Sequence, residues 1–148
     1  MPRIERSAKV EWEGSVARGA GTITGDTGAF SGLPYTLASR LGDPEGKTSP
    51  EELLAAATAG CFTTSLGSEL ARDKTPPTRL EIHCLIVMDE VEGGGHQIIA
   101  SHVEVVAAVD GLDDDGLQAA IAKADEGCPF SQLLRNAGCE VHVSARLG

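Results

Sequence analysis

Residues 49–73 read SPEELLAAATAGCFTTSLGSELARD, and this stretch decides the fold. Ser49 in an N-cap position, Pro50 at the first helical position and Glu52 three residues after the cap form a helix start, with an acidic first turn that complements the helix dipole. The next proline is Pro76, so the spacing predicts a helix over about 51–72, roughly six turns long. Between Glu52 and Ser68 this helix carries no charge. Lacking a charged solvent face over its middle, it is expected to be buried on nearly all sides, which a chain of 148 residues can hardly achieve alone.

Upstream, Gly14, Gly19, Gly21, Gly25, Gly28 and Gly32 punctuate residues 8 to 41, and Val10 and Trp12 alternate with Glu11 and Glu13. Three short antiparallel strands fit this pattern, followed by a polar loop from Gly42. Downstream, residues 79–109 hold two β-rich runs around Gly93-Gly94-Gly95, which predicts a hairpin. Leu80, Ile82, Cys84, Ile86 and Met88 share one face of it. Ile99, Ser101, Val103, Val105 and Ala107 fall together on the second strand, with His102 and Glu104 on the wetter side. Asp113, Asp114 and Asp115 then offer N-caps for a helix ending near Gly127, Pro129 restarts a short helix, and Gly138 leads into an alternating final strand, CEVHVSARL. The expected class is α+β in the order β3-α-β2-α2-β, as a single domain over 1–148.

Hydrophobic residues make up 41% of the chain, enough for one core, but aromatics only 3%, so Ala, Val, Leu and Ile must fill most of it. The formal charge of −10 would repel a phosphate backbone and makes nucleic acid an unsuitable partner. No apolar run approaches the roughly 20 residues that span a bilayer, and the N-terminus lacks the apolar region of a signal peptide. The expectation is a cytoplasmic protein with no membrane partner.

Cysteines stand at 61, 84, 128 and 139, without a C-x-x-C pair that would suggest zinc or a thioredoxin motif. Cys84 and Cys139 fall in register with apolar strand neighbours and read as small buried hydrophobes. Cys128 precedes Pro129 at a helix start, where free N–H groups stabilise a thiolate. Cys61 lies in the middle of the apolar helix, where burial raises a thiol's pKa unless a cation is close. Local chemistry therefore favours Cys128 as the reactive thiol. His83, His96, His102 and His142 read as strand or turn residues without a catalytic role.

PEELLAAATAGCF around Cys61, GCPFSQLL around Cys128, SRLG around Arg40 and WEGSVARGAGTIT near the N-terminus together resemble the OsmC/Ohr family of hydroperoxide peroxidases, over nearly the whole chain. The resemblance implies an OsmC-like intertwined homodimer and reverses the choice of thiol: Cys61 attacks the peroxide, and Cys128 closes a disulfide with the resulting sulfenic acid. It also implies that Arg40 and Glu51 pair at the thiolate, the Arg fork holding the sulfur ionised and the carboxylate orienting it. Some relatives use an N-terminal Arg instead, which makes Arg18 the alternative, while the SRLG match points to the OsmC branch over the Ohr branch.

Glu51 and Cys61 are ten residues apart on one helix, about 15 Å along its axis, so they cannot meet within it. A second subunit whose helix packs alongside would resolve this, which agrees with the uncharged helix middle. The activity so implied is reduction of organic hydroperoxides and hydrogen peroxide in oxidative stress defence, reset by a dithiol of lipoyl type, with no cofactor and no metal. The competing reading is a redox-sensing or ligand-binding module of the same fold without turnover.

Overall fold

The alternation around Trp12 becomes strand β1, Ala8–Glu13, in the computed structural model of the protein, which describes residues 2–148. It pairs antiparallel with β2, Ala20–Gly25, which pairs antiparallel with β3, Leu33–Tyr35, giving a three-stranded meander in the order β1-β2-β3. These strands belong to a compact unit that ends at Pro50, and a second unit comprises Glu51–Gly148.

In the meander, Trp12 stands opposite Gly21 and Gly21 opposite Tyr35. The two rings meet edge to face over the glycine, with centroids 5.5 Å apart. Only hydrogen fits beneath them. A Cβ on Gly21 would lie 2.6 Å from Tyr35 Cε1 and 2.7 Å from Trp12 Cε3.

The end of the region expected to be extended is instead a short helix, α1, Leu37–Leu41. Thr36 caps it reciprocally with Ser39: the Ser39 N–H donates to Thr36 Oγ1 and the Thr36 N–H donates to Ser39 Oγ, each at 3.0 Å. Serine in place of the usual Glu or Gln at the third helical position hid this capping box in the sequence.

In the second unit, helix α2 runs Pro50–Arg72, close to the span read from its caps. Its fully covered positions are Thr58, Phe62, Leu66 and Leu70, one row spaced by four residues. Within one chain the helix is not covered on every side: Ala56, Gly60, Thr64 and Ser68 form a row of small residues that is exposed. The hydroxyls of this uncharged helix satisfy themselves internally. Thr58 donates to the Leu54 carbonyl at 2.7 Å and Ser68 to that of Thr64 at 2.8 Å.

Strands β4, Arg79–Glu90, and β5, His96–Ala108, form the expected hairpin. Its turn contains Gly93, Gly94 and Gly95 with φ between +90° and +93°, a conformation that side chains resist. A bulge between Val87 and Met88 shifts the register near the turn, so that Ala100 and Ser101 are both buried before strict alternation resumes.

Helices α3, Asp114–Gly127, and α4, Pro129–Asn136, then lead to β6, Glu140–Leu147, which lies parallel to β5. A parallel return needs a long crossover, and the two helices supply it. One sheet face packs Val103, Val105, Ala107, Leu80, Ile82 and Val143 against Phe62, Leu66 and Leu70 of α2 and Leu117, Ala120, Ile121 and Ala124 of α3. Each fully buried Phe or Leu contributes about 1.5–3 kcal/mol, against at most about 1 kcal/mol for an exposed ion pair. Packing rather than pairs such as Arg72–Glu69 therefore holds α2 in place.

Gly21→Ala is expected to destabilise the protein by about 1–3 kcal/mol through overpacking. It should also displace Trp12, the only tryptophan, so a wavelength scan of intrinsic fluorescence together with thermal unfolding checks the prediction.

Candidate active site

Cys61 precedes Phe62, so the row that seats α2 on the core also fixes the direction of the neighbouring sulfur. Cys128 arrives from the other side of the sequence, at the junction of α3 and α4. It is at once the last cap of α3 and the N-cap of α4, with extended backbone, φ −75° and ψ 115°. Pro129 suits the first helical position because no N–H is needed there. The corner is braced by the ion pair of Asp125 with Arg135, and by the Gln132 side-chain amide donating to the Glu126 carbonyl at 2.6 Å.

The two sulfurs are 3.5 Å apart, within reach of an S–H···S hydrogen bond, although 67 residues separate them. Closing a disulfide requires them to approach by about 1.5 Å more. Cys128 is fully buried and Cys61 partly buried, so the pair sits where the hydrophobic core meets the surface.

The pair is electrostatically unequal. Burial pushes the Cys61 thiol up, and the hydrogen bond and charge of Cys128 push it further, while the Phe130 N–H and the Ser65 hydroxyl pull the other way without reversing it. Burial also pushes the Cys128 thiol up. There, however, the Ser131 N–H, the Cys61 sulfhydryl, the Ser131 hydroxyl and the Phe130 N–H more than offset it, and the thiol ends below its ordinary value. Cys128 makes no side-chain cap hydrogen bond of standard geometry, yet these N–H groups are close enough to favour its thiolate. Two thiols in contact titrate as a unit, and the surroundings of this pair favour the negative charge on Cys128 over Cys61. The order of acidity read from local sequence thus agrees with the structure.

The remaining cysteines differ. Cys84 is partly buried against the core cluster, 3.6 Å from Ser101 Oγ, and burial raises its thiol. The Cys139 thiol donates to the Ile98 carbonyl at 2.9 Å. Cys84 is a sheet position in β4, whereas Cys139, expected in the final strand, lies immediately before β6 and is buried there.

Glu51 lies in the first turn of α2, and the ten residues to Cys61 keep the two about 15 Å apart on that helix. Arg40 is carried by α1 in the first unit, where the Thr36–Ser39 capping box fixes its turn. It lines a cleft of about 260 Å³ together with Trp12, Val16, Tyr35 and Leu37. Arg18 occupies the turn between β1 and β2 and lines a different and more polar cleft, with Glu11, Glu13 and Thr22.

His83, His102 and Glu104 line a depression on the sheet face away from the core, and the His102 ring stacks on His142 with centroids 4.9 Å apart. Among the described residues, no group of three or more His, Cys, Asp or Glu side chains is placed to hold a metal ion. Sequence reading missed Ser65 and Ser131. The available signal was spacing: Ser65 is four residues after Cys61 on its helix, and Ser131 three after the N-cap Cys128.

Comparison with known proteins places the chain in a family. A family model described as OsmC-like protein matches residues 42–144, a span that contains both Cys61 and Cys128. Peroxiredoxin OsmC of Escherichia coli is 33% identical over 132 residues, which cover 89% of this chain and 91% of that protein. The organic hydroperoxide resistance protein of Xanthomonas axonopodis pv. citri is 34% identical over a shorter stretch, 60% of each chain. The crystal structure of an organic hydroperoxide resistance protein OsmC from Legionella pneumophila shares the fold, with a TM-score of 0.73 at 23% identity and coverage of 97% of this chain and 98% of that one. With the family model spanning most of the chain and the similarity to an OsmC protein running over more of it than that to an Ohr protein, this chain belongs to the OsmC-like family.

Proposed function

We propose that this protein is a thiol-dependent peroxidase that reduces organic hydroperoxides and hydrogen peroxide in oxidative stress defence, with Cys61 as the attacking sulfur and Cys128 as the resolving one. The observation that carries this reading is the 3.5 Å approach of two sulfurs from distant parts of the chain. Two relatives named for peroxide chemistry support it.

The Cys61 thiolate attacks the distal oxygen of the hydroperoxide. The O–O bond breaks, the sulfur becomes a sulfenic acid, and the alkoxide leaves and takes a proton. The Cys128 thiolate then attacks the Cys61 sulfur, expelling hydroxide and forming the Cys61–Cys128 disulfide. A dithiol, of lipoyl type by resemblance, returns both to thiols. The surroundings of Cys128 suit the second step, because the Ser131 and Phe130 N–H groups favour the thiolate that attacks the sulfenic acid.

The first step needs a cation, since the immediate surroundings of Cys61 raise its thiol. Arg40 is the proposed source, oriented by Glu51, with Arg18 as the alternative. The distance between Glu51 and Cys61 on one helix supports a site completed by a second subunit. In this reading the exposed small residues of α2, Ala56, Gly60, Thr64 and Ser68, face the partner's helix in an intertwined homodimer. Residues 1–148 then act as one OsmC-like domain, consistent with a family match that crosses the division at Pro50.

One equivalent of cumene hydroperoxide added to reduced protein is expected to remove two of the four free thiols. Cys61→Ser should consume no peroxide, and Cys128→Ser should stop at a sulfenic acid that a dimedone-type trap labels. Peroxide consumption at the wild-type rate by Cys61→Ser would refute the assignment. Arg40→Ala should slow turnover at neutral pH by about tenfold or more, the equivalent of one lost unit of thiol acidity. The deficit should shrink as pH rises, because the thiolate then forms without the cation; the pH–rate profile checks this. Solution mass should be that of a dimer, and Gly60→Leu should shift it toward monomer by obstructing the helix contact.

A further inference from the structure

Ser131 is not a reacting group of the proposed cycle, yet it is among the best-covered polar residues of the chain. It stands three residues after Cys128, in the first turn of α4, and is 1% exposed. Its hydroxyl makes no hydrogen bond of standard geometry. Buried hydroxyls are ordinarily paired, so an orphan at this position calls for another purpose. The group on which it acts is the Cys128 sulfur, together with the N–H groups of Ser131 and Phe130 at the same helix end.

The two sulfurs also differ in access. Cys128 is 0% exposed, sealed beneath the α3–α4 corner, while Cys61 is only partly buried. When a disulfide is opened, the incoming thiolate bonds to the sulfur it can reach, and the other departs faster the better its negative charge is held. Both conditions select the same direction of attack.

We propose that Ser131 is a positioning residue that makes Cys128 the departing thiolate when the Cys61–Cys128 disulfide is reduced, so that the reducing dithiol bonds to Cys61. The proposal rests on the peroxidase cycle and assigns the polarity of its last half. One thiolate of the reductant attacks Cys61 Sγ, the S–S bond breaks, and its electron pair goes to Cys128, held by the Ser131 hydroxyl and the α4 N–H groups. The second thiolate of the reductant then attacks the reductant's own sulfur in the mixed disulfide. Cys61 is released as a thiolate, and the reductant leaves as a cyclic disulfide.

The test uses the full chain, oxidised by one equivalent of cumene hydroperoxide and treated with a limiting amount of glutathione, a monothiol that stops at the mixed disulfide. After acid quenching and blocking with N-ethylmaleimide, peptide mapping should find glutathione on Cys61 and maleimide on Cys128. Glutathione on Cys128, or divided equally between the two, overturns the proposal.

Ser131→Ala loses a hydroxyl without a partner, so it should not lower the unfolding temperature. It should slow reduction by dihydrolipoamide by about threefold through a poorer leaving thiolate. In a Cys61→Ser background it should also move the alkylation midpoint of Cys128 to higher pH. An unchanged rate and midpoint would remove Ser131 from the role. Should peroxide close no disulfide, the peroxidase reading fails at its own step; diamide can still close the bond, and the same mapping then judges the leaving group separately.

Discussion

The row Phe62, Leu66 and Leu70, pressed against Val103, Val105 and Ala107 of the sheet, is the contact on which the second unit depends. It seats α2 without any charged residue over four turns, and it does so along one stripe. Because Cys61 adjoins Phe62, the direction of its sulfur is set by core packing rather than by a loop. The same core receives Leu117, Ala120, Ile121 and Ala124 of α3, whose end delivers Cys128. The thiol pair is thus an edge of the hydrophobic core, and its 3.5 Å spacing is held by the packing that holds the fold. A site on packed elements keeps its geometry more closely than one on loops.

That position has an electrostatic consequence. Burial disfavours both thiolates, so whichever sulfur ionises must find compensation nearby. Cys128 finds it at the start of α4, where Pro129 removes a donor that has no role and Phe130 and Ser131 keep theirs. Cys61 lies inside a helix whose own N–H groups are engaged, and its neighbours Ser65 and Phe130 do not suffice. The proposed cycle turns this inequality to use: a sulfur that requires an external cation does the attacking, and one whose thiolate is favoured by its own surroundings does the resolving.

Much of the fold was legible because its signals are local. The Ser49-Pro50-Glu51-Glu52 start, the alternation along residues 80–88 and the glycine triplet at 93–95 each specify a backbone state without reference to distant residues, and α2 and the β4–β5 hairpin follow. Where the local signal was unusual, the reading failed. Residues 37–41 form a helix because Ser39 completes a capping box in the position where Glu is the familiar partner. Composition counts charges but does not reveal that small residues gather on one side of α2, where Ala56, Gly60, Thr64 and Ser68 are exposed within one chain.

The candidate site divides along the same line. The sequence by itself set the cysteines apart: Cys128 through Pro129 and the helix start, Cys61 through its motif, and Cys84 through its strand register. Only the tertiary structure decided that Cys61 and Cys128 touch, that Ser131 lies unpaired beside them, and that β6 returns parallel to β5. The reason is physical. Caps, alternation and turn residues act over a few bonds and are written in adjacent letters, whereas a contact across 67 residues exists only once two helices and a sheet have excluded water from a shared core.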